Sequence, residues 1–299
     1  DRDHVAMLDR EAALFQLAAA VPWARPLKAL MPKFRLYDAG VHALLVELLP
    51  FDTGLDYLRR ETARADTFGG LLGRALAAIH VRVSKRSATA GMLSEALPWI
   101  LQIDAVDLKE VEQPPLRRVL DLIRGERDLI AAIGALKVQW QHETLIHGDA
   151  KLDNVLVGME KRPRVWLVDW AFSGIGDPAW DVGTIMHSCL IVWLHGVHFR
   201  REQPFDEALQ GAVIPLSLVR AFLGALISGY EHARGLRDSA ARRFFRRAFQ
   251  CAGAALVQTA VASARAQEQV TPRHLAVIQA GNNLLNDPED TLREFRCAG

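Results

Sequence analysis

Cysteine is scarce in these 299 residues, and Cys189, Cys251 and Cys297 form no C-x-x-C pair. An odd thiol count argues against a disulfide framework and suits a reducing compartment, in which all three read as buried small apolar side chains. An excess of either charge is missing as well. The 36 Lys and Arg against 35 Asp and Glu leave a net charge of +1, so no global field draws the chain to nucleic acid, membranes or polyanions. Also lacking are any run of about 18 uninterrupted apolar residues and any basic-then-apolar leader, which leaves nothing to cross a membrane. The expected location is cytoplasmic, with neither membrane nor nucleic acid as partner. The first residue is Asp1 rather than Met, so this start need not be the start of translation.

What is present is an ordinary globular composition, 50% apolar and 24% charged, at a length that suits two lobes sharing a cleft or one large domain. Residues 5–20 carry Leu8, Leu14, Phe15 and Leu17 at helical spacing and stop before Pro22, with Glu11 on the same helix. Residues 33–37 and 41–48 read as a hairpin turning at Asp38-Ala39-Gly40. Helical periodicity then dominates, over 67–83, 116–133 and most of 179–299, while Ser84 to Ser87 looks like an exposed loop. Brief strands at 155–157 and 165–168 interrupt the helices among polar loops rich in Asp and Asn. The pattern predicts an α+β protein with its chemistry in that insertion.

The chemistry-bearing stretch is His147-Gly148-Asp149-Ala150-Lys151-Leu152-Asp153-Asn154, followed after a strand by Asp169-Trp170. Phosphoryl transfer needs a carboxylate to orient and deprotonate the attacking hydroxyl, and hard oxygen ligands to hold Mg²⁺ against nucleotide phosphates. Asp149 can supply the base, Asn154 and Asp169 the metal oxygens, and Lys151 a charge to neutralise the moving phosphoryl group.

The H-x-D-x-K-x-x-N order resembles the catalytic loop of protein kinases, with Asp169 at the place of their metal-binding Asp. Gly148 after the histidine, and Gly176-Asp177-Pro178 leading to Asp181, make it look more specifically like the aminoglycoside phosphotransferase and choline kinase superfamily. Leu76-Ala77-Ala78-Ile79-His80 resembles that family's helix ending in Leu-His, and Leu44 to Leu49 its strand entering the hinge. The resemblance implies a protein-kinase-like two-lobed fold. Residues 1–50 would be a partial N-terminal nucleotide-binding lobe, and 51–299 a helical C-terminal lobe with the catalytic and metal loops and the acceptor site.

It further implies ATP or GTP and Mg²⁺ as cofactors, and transfer of the γ-phosphoryl group to a hydroxyl of a small molecule. Backbone groups of Glu47, Leu48 and Leu49 would meet adenine over a floor of Leu156 and Val168, and Glu11 resembles the helix glutamate that pairs with the phosphate-binding lysine. His147 and Asp181 would support the catalytic loop rather than react. Two departures stand out: Gly148 replaces the arginine of H-R-D, and Trp170-Ala171 replaces Phe-Gly with no A-P-E beyond, so control by activation-loop phosphorylation is not expected. The glycine-rich loop and lysine strand, about 25 to 40 residues in this fold, do not precede Glu11 here. That gap keeps a second reading open, a pseudokinase-like nucleotide-binding or scaffolding module without catalysis.

Other features carry plainer readings. Gly69, Gly70 and Gly73 lie in a helical pattern and suggest helix packing rather than a phosphate loop. Arg242 to Arg247 reads as an amphipathic turn, phenylalanines inward and arginines in water. His187, His195 and His198 lack the further ligands of a metal site. The region after the metal loop offers mainly Glu202, Asp206, Glu207, Glu231 and Asp238 among many arginines. A neutral or partly apolar acceptor is therefore expected rather than a polycation.

Overall fold

The computed structural model describes residues 2–21, 24–82, 94–159, 163–197 and 214–296. The expected first helix is α1 (Arg2–Ala20), which buries Ala12, Leu14, Phe15 and Ala18 along one stripe. After α2 (Arg25–Leu30) the strands β1 (Phe34–Asp38) and β2 (Ala43–Val46) pair antiparallel with Leu36 opposite Leu45. β2 starts later than the sequence suggests because the turn extends to His42, held at φ 47°. Asp38 closes that turn by accepting the Gly40 N–H at 2.8 Å.

β3 (Asp52–Thr53) leads into α3 (Gly54–Arg60), whose N-terminus is capped by the Thr53 hydroxyl accepting from Asp56 N at 3.1 Å. α4 (Ala65–Arg82) follows. The single helix expected over 116–133 is two, α5 (Pro114–Gly125) and α6 (Arg127–Val138), parted at Glu126 with φ −86° and ψ 92°. The apolar stripe Leu116, Val119, Leu120, Ile123 would next place Glu126 and Arg127 in the core. The chain breaks and restarts burial at Leu129, Ile133 and Leu136 instead. The Ser84 to Ser87 loop lies outside the described residues.

The β insertion comprises β4 (Thr144–Ile146), β5 (Val155–Gly158), β6 (Arg164–Leu167) and β7 (Gly174–Gly176). β3, β5 and β6 form one antiparallel sheet, with Val155 opposite Leu167, and β4 pairs antiparallel with β7. The rest is helical: α7 (Pro178–His195), α8 (Leu216–Arg234), α9 (Asp238–Arg265), α10 (Pro272–Asn286) and α11 (Pro288–Arg296).

The glycines on α4 serve helix packing, as expected. A Cβ at Gly69 would lie 2.2 Å from the Phe222 carbonyl oxygen, and one at Gly73 would lie 2.3 Å from that of Leu226, so α4 and α8 touch backbone to backbone. Gly229 answers from α8, where a Cβ would sit 2.5 Å from the Gly70 oxygen. Phe244 and Phe245 are buried on α9. The expectation that all the arginines beside them face water fails at Arg247: Asp177, fully buried, draws its guanidinium inward to 2.9 Å. Cys189 and Cys251 are buried free thiols, and burial pushes Cys189 up to about 12. Cys297 lies outside the described residues.

Candidate active site

The loop after β4 is built around Asp149. Its carboxylate oxygen Oδ2 receives Lys151 Nζ at 2.7 Å and Asn154 Nδ2 at 3.0 Å, while Asn154 Nδ2 also donates to the Asp149 carbonyl at 2.9 Å. Three of the four residues expected to share the chemistry thus meet within one turn. Gly148 makes that turn possible: its φ is +83°, and a Cβ there would lie 2.2 Å from the Phe172 oxygen. Asp169, just past β6, is exposed and held at φ +63°, and the preceding Val168 N–H bonds the Asn154 carbonyl at 2.9 Å. That bond ties the Asp169 segment to the Asn154 segment.

Asp181, on α7 and fully buried, accepts His147 N at 2.7 Å on Oδ2 and Gly148 N at 2.9 Å on Oδ1. Bonds from backbone donors to a carboxylate are charge-assisted and short, so this one side chain fixes the backbone leading into Asp149. The buried His147 ring donates Nε2–H to the Val168 carbonyl at 3.0 Å and receives Asp149 N on Nδ1 at 3.3 Å. Burial lowers its pKa, against the pull of Asp181, so the ring stays a neutral spacer between the two loops. Trp180 Nε1 donates to the Gly148 carbonyl at 2.8 Å and Leu152 N to Ser188 Oγ at 3.1 Å, so α7 carries the whole loop.

The donor set suits a hard cation. Asn154 commits its amide nitrogen to Asp149, which turns its oxygen the other way, and Asp169 presents an exposed carboxylate. Among the described residues no cluster of three His, Cys, Asp or Glu side chains could hold an ion alone, and Mg²⁺ ordinarily takes one or two protein oxygens with phosphates completing its shell.

Glu11 of α1 reaches the same place: its Oε1 accepts Trp170 N at 3.0 Å. Burial, and after it the charge of Asp169, raise the Glu11 carboxyl, while the Trp170 bond opposes. At the end of β2 the Glu47 N–H is taken by the Lys33 carbonyl at 2.9 Å, and Leu48 is 89% exposed. Leu156 and Val168 are both half-buried beside the loop, on and just after the β5–β6 pair.

Several contributors escaped sequence reasoning. His80, read only as part of a Leu-His helix end, is buried with Nε2 at 3.2 Å from Asp181 Oδ2 and Nδ1 at 2.9 Å from Tyr230 OH. Asp177 caps α7 by accepting Ala179 N at 2.9 Å. His187 is no metal ligand: its Nε2 meets Thr259 Oγ1 at 2.7 Å. Of the expected acidic residues, Glu231 and Asp238 line a groove shared with Arg220 and Arg237 that includes no catalytic-loop residue. Glu202, Asp206, Glu207 and His198 lie outside the described residues.

This α+β architecture, mainly helical with small sheets, is the two-lobed protein-kinase-like fold. Among solved structures, an ethanolamine kinase of Plasmodium vivax matches 97% of this chain and 73% of its own with TM-score 0.54 at 12% identity. A glucosamine kinase in complex with glucosamine, ADP and inorganic phosphate matches 94% of this chain and 67% of its own with TM-score 0.51 at 17% identity. At such identities the likeness establishes the fold. The chain belongs to the phosphotransferase enzyme family, whose sequence profile matches residues 2–245. A stretch of 54 residues, 18% of this chain, is 43% identical to mouse acyl-CoA dehydrogenase family member 10 and spans 5% of that protein.

Proposed function

We propose that this chain is a small-molecule kinase that moves the γ-phosphoryl group of ATP, or GTP, to a hydroxyl of its acceptor. The observation that carries the reading is the Asp149 carboxylate, held by Lys151 and Asn154 in a loop that Asp181 fastens from below. Asp149 orients the acceptor hydroxyl and takes its proton as the oxygen attacks phosphorus. Lys151, already at 2.7 Å from that carboxylate, is placed to meet the charge of the transferring group. Asn154 and Asp169 would hold Mg²⁺, which supplies charge neutralisation on the phosphates when bound.

In the nucleotide site, the Glu47 N–H is engaged by Lys33, so adenine recognition falls to the Glu47 carbonyl and the Leu48 and Leu49 backbone, over Leu156 and Val168. Residues 1–50 and 51–299 would form the two lobes. For the acceptor, Glu231 and Asp238 line a groove that includes no catalytic-loop residue, which supports a neutral or partly apolar hydroxyl compound, such as a sugar or amino alcohol, over a polycation.

The alternative is a pseudokinase-like module that binds nucleotide or serves as a scaffold without catalysis. One assay separates the two. ADP release should be followed over a panel of hydroxyl acceptors, with mass detection of the phosphorylated product. Asp149→Asn should then bind nucleotide almost normally while kcat drops by about 10² to 10⁴. Nucleotide binding with no turnover of any acceptor would favour the binding module. Efficient turnover of kanamycin-type polycations would overturn the acceptor class.

A further inference from the structure

The loop that bears Asp149 hangs on Asp181, and Asp181 itself is held by a line of buried groups that ends at Tyr230 on α8. Asp181 Oδ2 can only accept, so His80 Nε2, 3.2 Å away, carries the imidazole proton. In the neutral ring His80 Nδ1 is then a bare lone pair that requires a donor, and the Tyr230 hydroxyl stands 2.9 Å away to supply it. Arg234, one turn further along α8, ion-pairs with Glu143 at 2.5 Å. Glu143 directly precedes β4, the strand that delivers His147. Thr144 of β4 adds a bond from its hydroxyl to the His80 carbonyl at 3.2 Å. Both donors in the series point the same way, from Tyr230 to His80 to Asp181, so each bond polarises the next.

We propose that Tyr230 is a positioning residue for phosphoryl transfer: its hydroxyl fixes the His80 tautomer and so keeps both Asp181 oxygens on the loop that bears Asp149. Without that hydroxyl the His80 proton is free to move to Nδ1. Nε2 would then face the Asp181 carboxylate lone pair to lone pair, and the oxygen it repels is the one that holds His147 N at 2.7 Å. A shift of about 1 Å in a reacting group costs on the order of 10²-fold in rate, so a small opening of this loop suffices. This role rests on the kinase reading above, but the state of the His80 ring can be read without any turnover.

Tyr230→Phe keeps the ring that stacks on Phe244, with centroids 4.9 Å apart, and removes only the hydroxyl. The expected result is a kcat at least about tenfold lower with the nucleotide KM unchanged. In ¹⁵N spectra the His80 ring should lose its Nε2-protonated pattern, and the amides of His147 and Gly148 should exchange faster. A second pair of variants keeps the question decidable if Tyr230→Phe folds poorly. His80→Gln can place an amide donor where Nε2 stood, whereas His80→Asn places it where Nδ1 stood, so Gln should retain more kcat than Asn. Should the wild type turn over no acceptor, the kinase reading fails, and the ring spectra and amide exchange still decide the role of Tyr230. Wild-type kcat in Tyr230→Phe, with His80 signals and amide protection unchanged even at a lower Tm, would overturn the proposal, as would equal rates for His80→Gln and His80→Asn.

Discussion

At the scale of single residues, the site mixes groups whose chemistry requires water with groups that must be kept from it. His187 is of the second kind. Burial, assisted by the nearby Lys151 charge, lowers its pKa from 6.5 to about 4, against the pull of the Thr184 carbonyl, which accepts from the protonated ring. A group that holds its proton less tightly when folded makes the unfolded chain the better proton acceptor between those two values. Stability is therefore whole above pH 6.5 and falls as the pH drops toward 4, by at most about 3 kcal/mol for this residue. Replacing His187 with Gln, which can still bond Thr259, should flatten the Tm profile between pH 6.5 and 4, and an unchanged acid slope would count against it. The loop that joins Asp149, Lys151 and Asn154 was legible in the sequence because phosphoryl transfer, the chemistry proposed for it, demands fixed types at fixed spacing. Of the supports, His147 and Asp181 were legible and Tyr230 was not: His80 lies 101 positions from Asp181 and 150 from Tyr230, and no local pattern marks a partner that distant.

At the scale of elements, the α4–α8 contact depends on what is missing from Gly69 and Gly73. Gly73→Ala would force its methyl to 2.3 Å from the Leu226 oxygen and 2.8 Å from Tyr230 N, so the helices must part. A loss of about 2 kcal/mol or more is expected, within the range for overpacked core sites, and with it weaker protection of the His147 amide. Gly134→Ala is the matching control: on α6 nothing lies within 4 Å of the added carbon, and about 0.5 to 1 kcal/mol of stabilisation is expected from helix propensity. Denaturant melts of the two variants would test the contrast, and equal effects would contradict the contact. Periodicity revealed α4 and its glycine row but missed the break at Glu126, because apolar spacing alone blurs two stripes set end to end.

At the scale of the whole molecule, ligand binding should tie the two lobes together by mass action. A nucleotide at about a hundredfold its Kd adds roughly 2.7 kcal/mol of stability. That gain should appear with Mg²⁺ and shrink with a chelator, and Asn154→Ala or Asp169→Ala should weaken the difference. Thermal melts would decide, and equal shifts with and without metal in the wild type would speak against the oxygen pair. The order in which this chain is made adds a last consequence. The side chains proposed to react lie between Asp149 and Asp169, yet the hydroxyl proposed to square His80 against Asp181 arrives only with Tyr230. On the ribosome a nascent chain stopped at the end of α7 would possess every reactive group and still lack the last restraint on the loop. Competence would then arrive with α8, after the chemistry has been synthesised, so that a truncated or stalled product would release little active phosphotransferase.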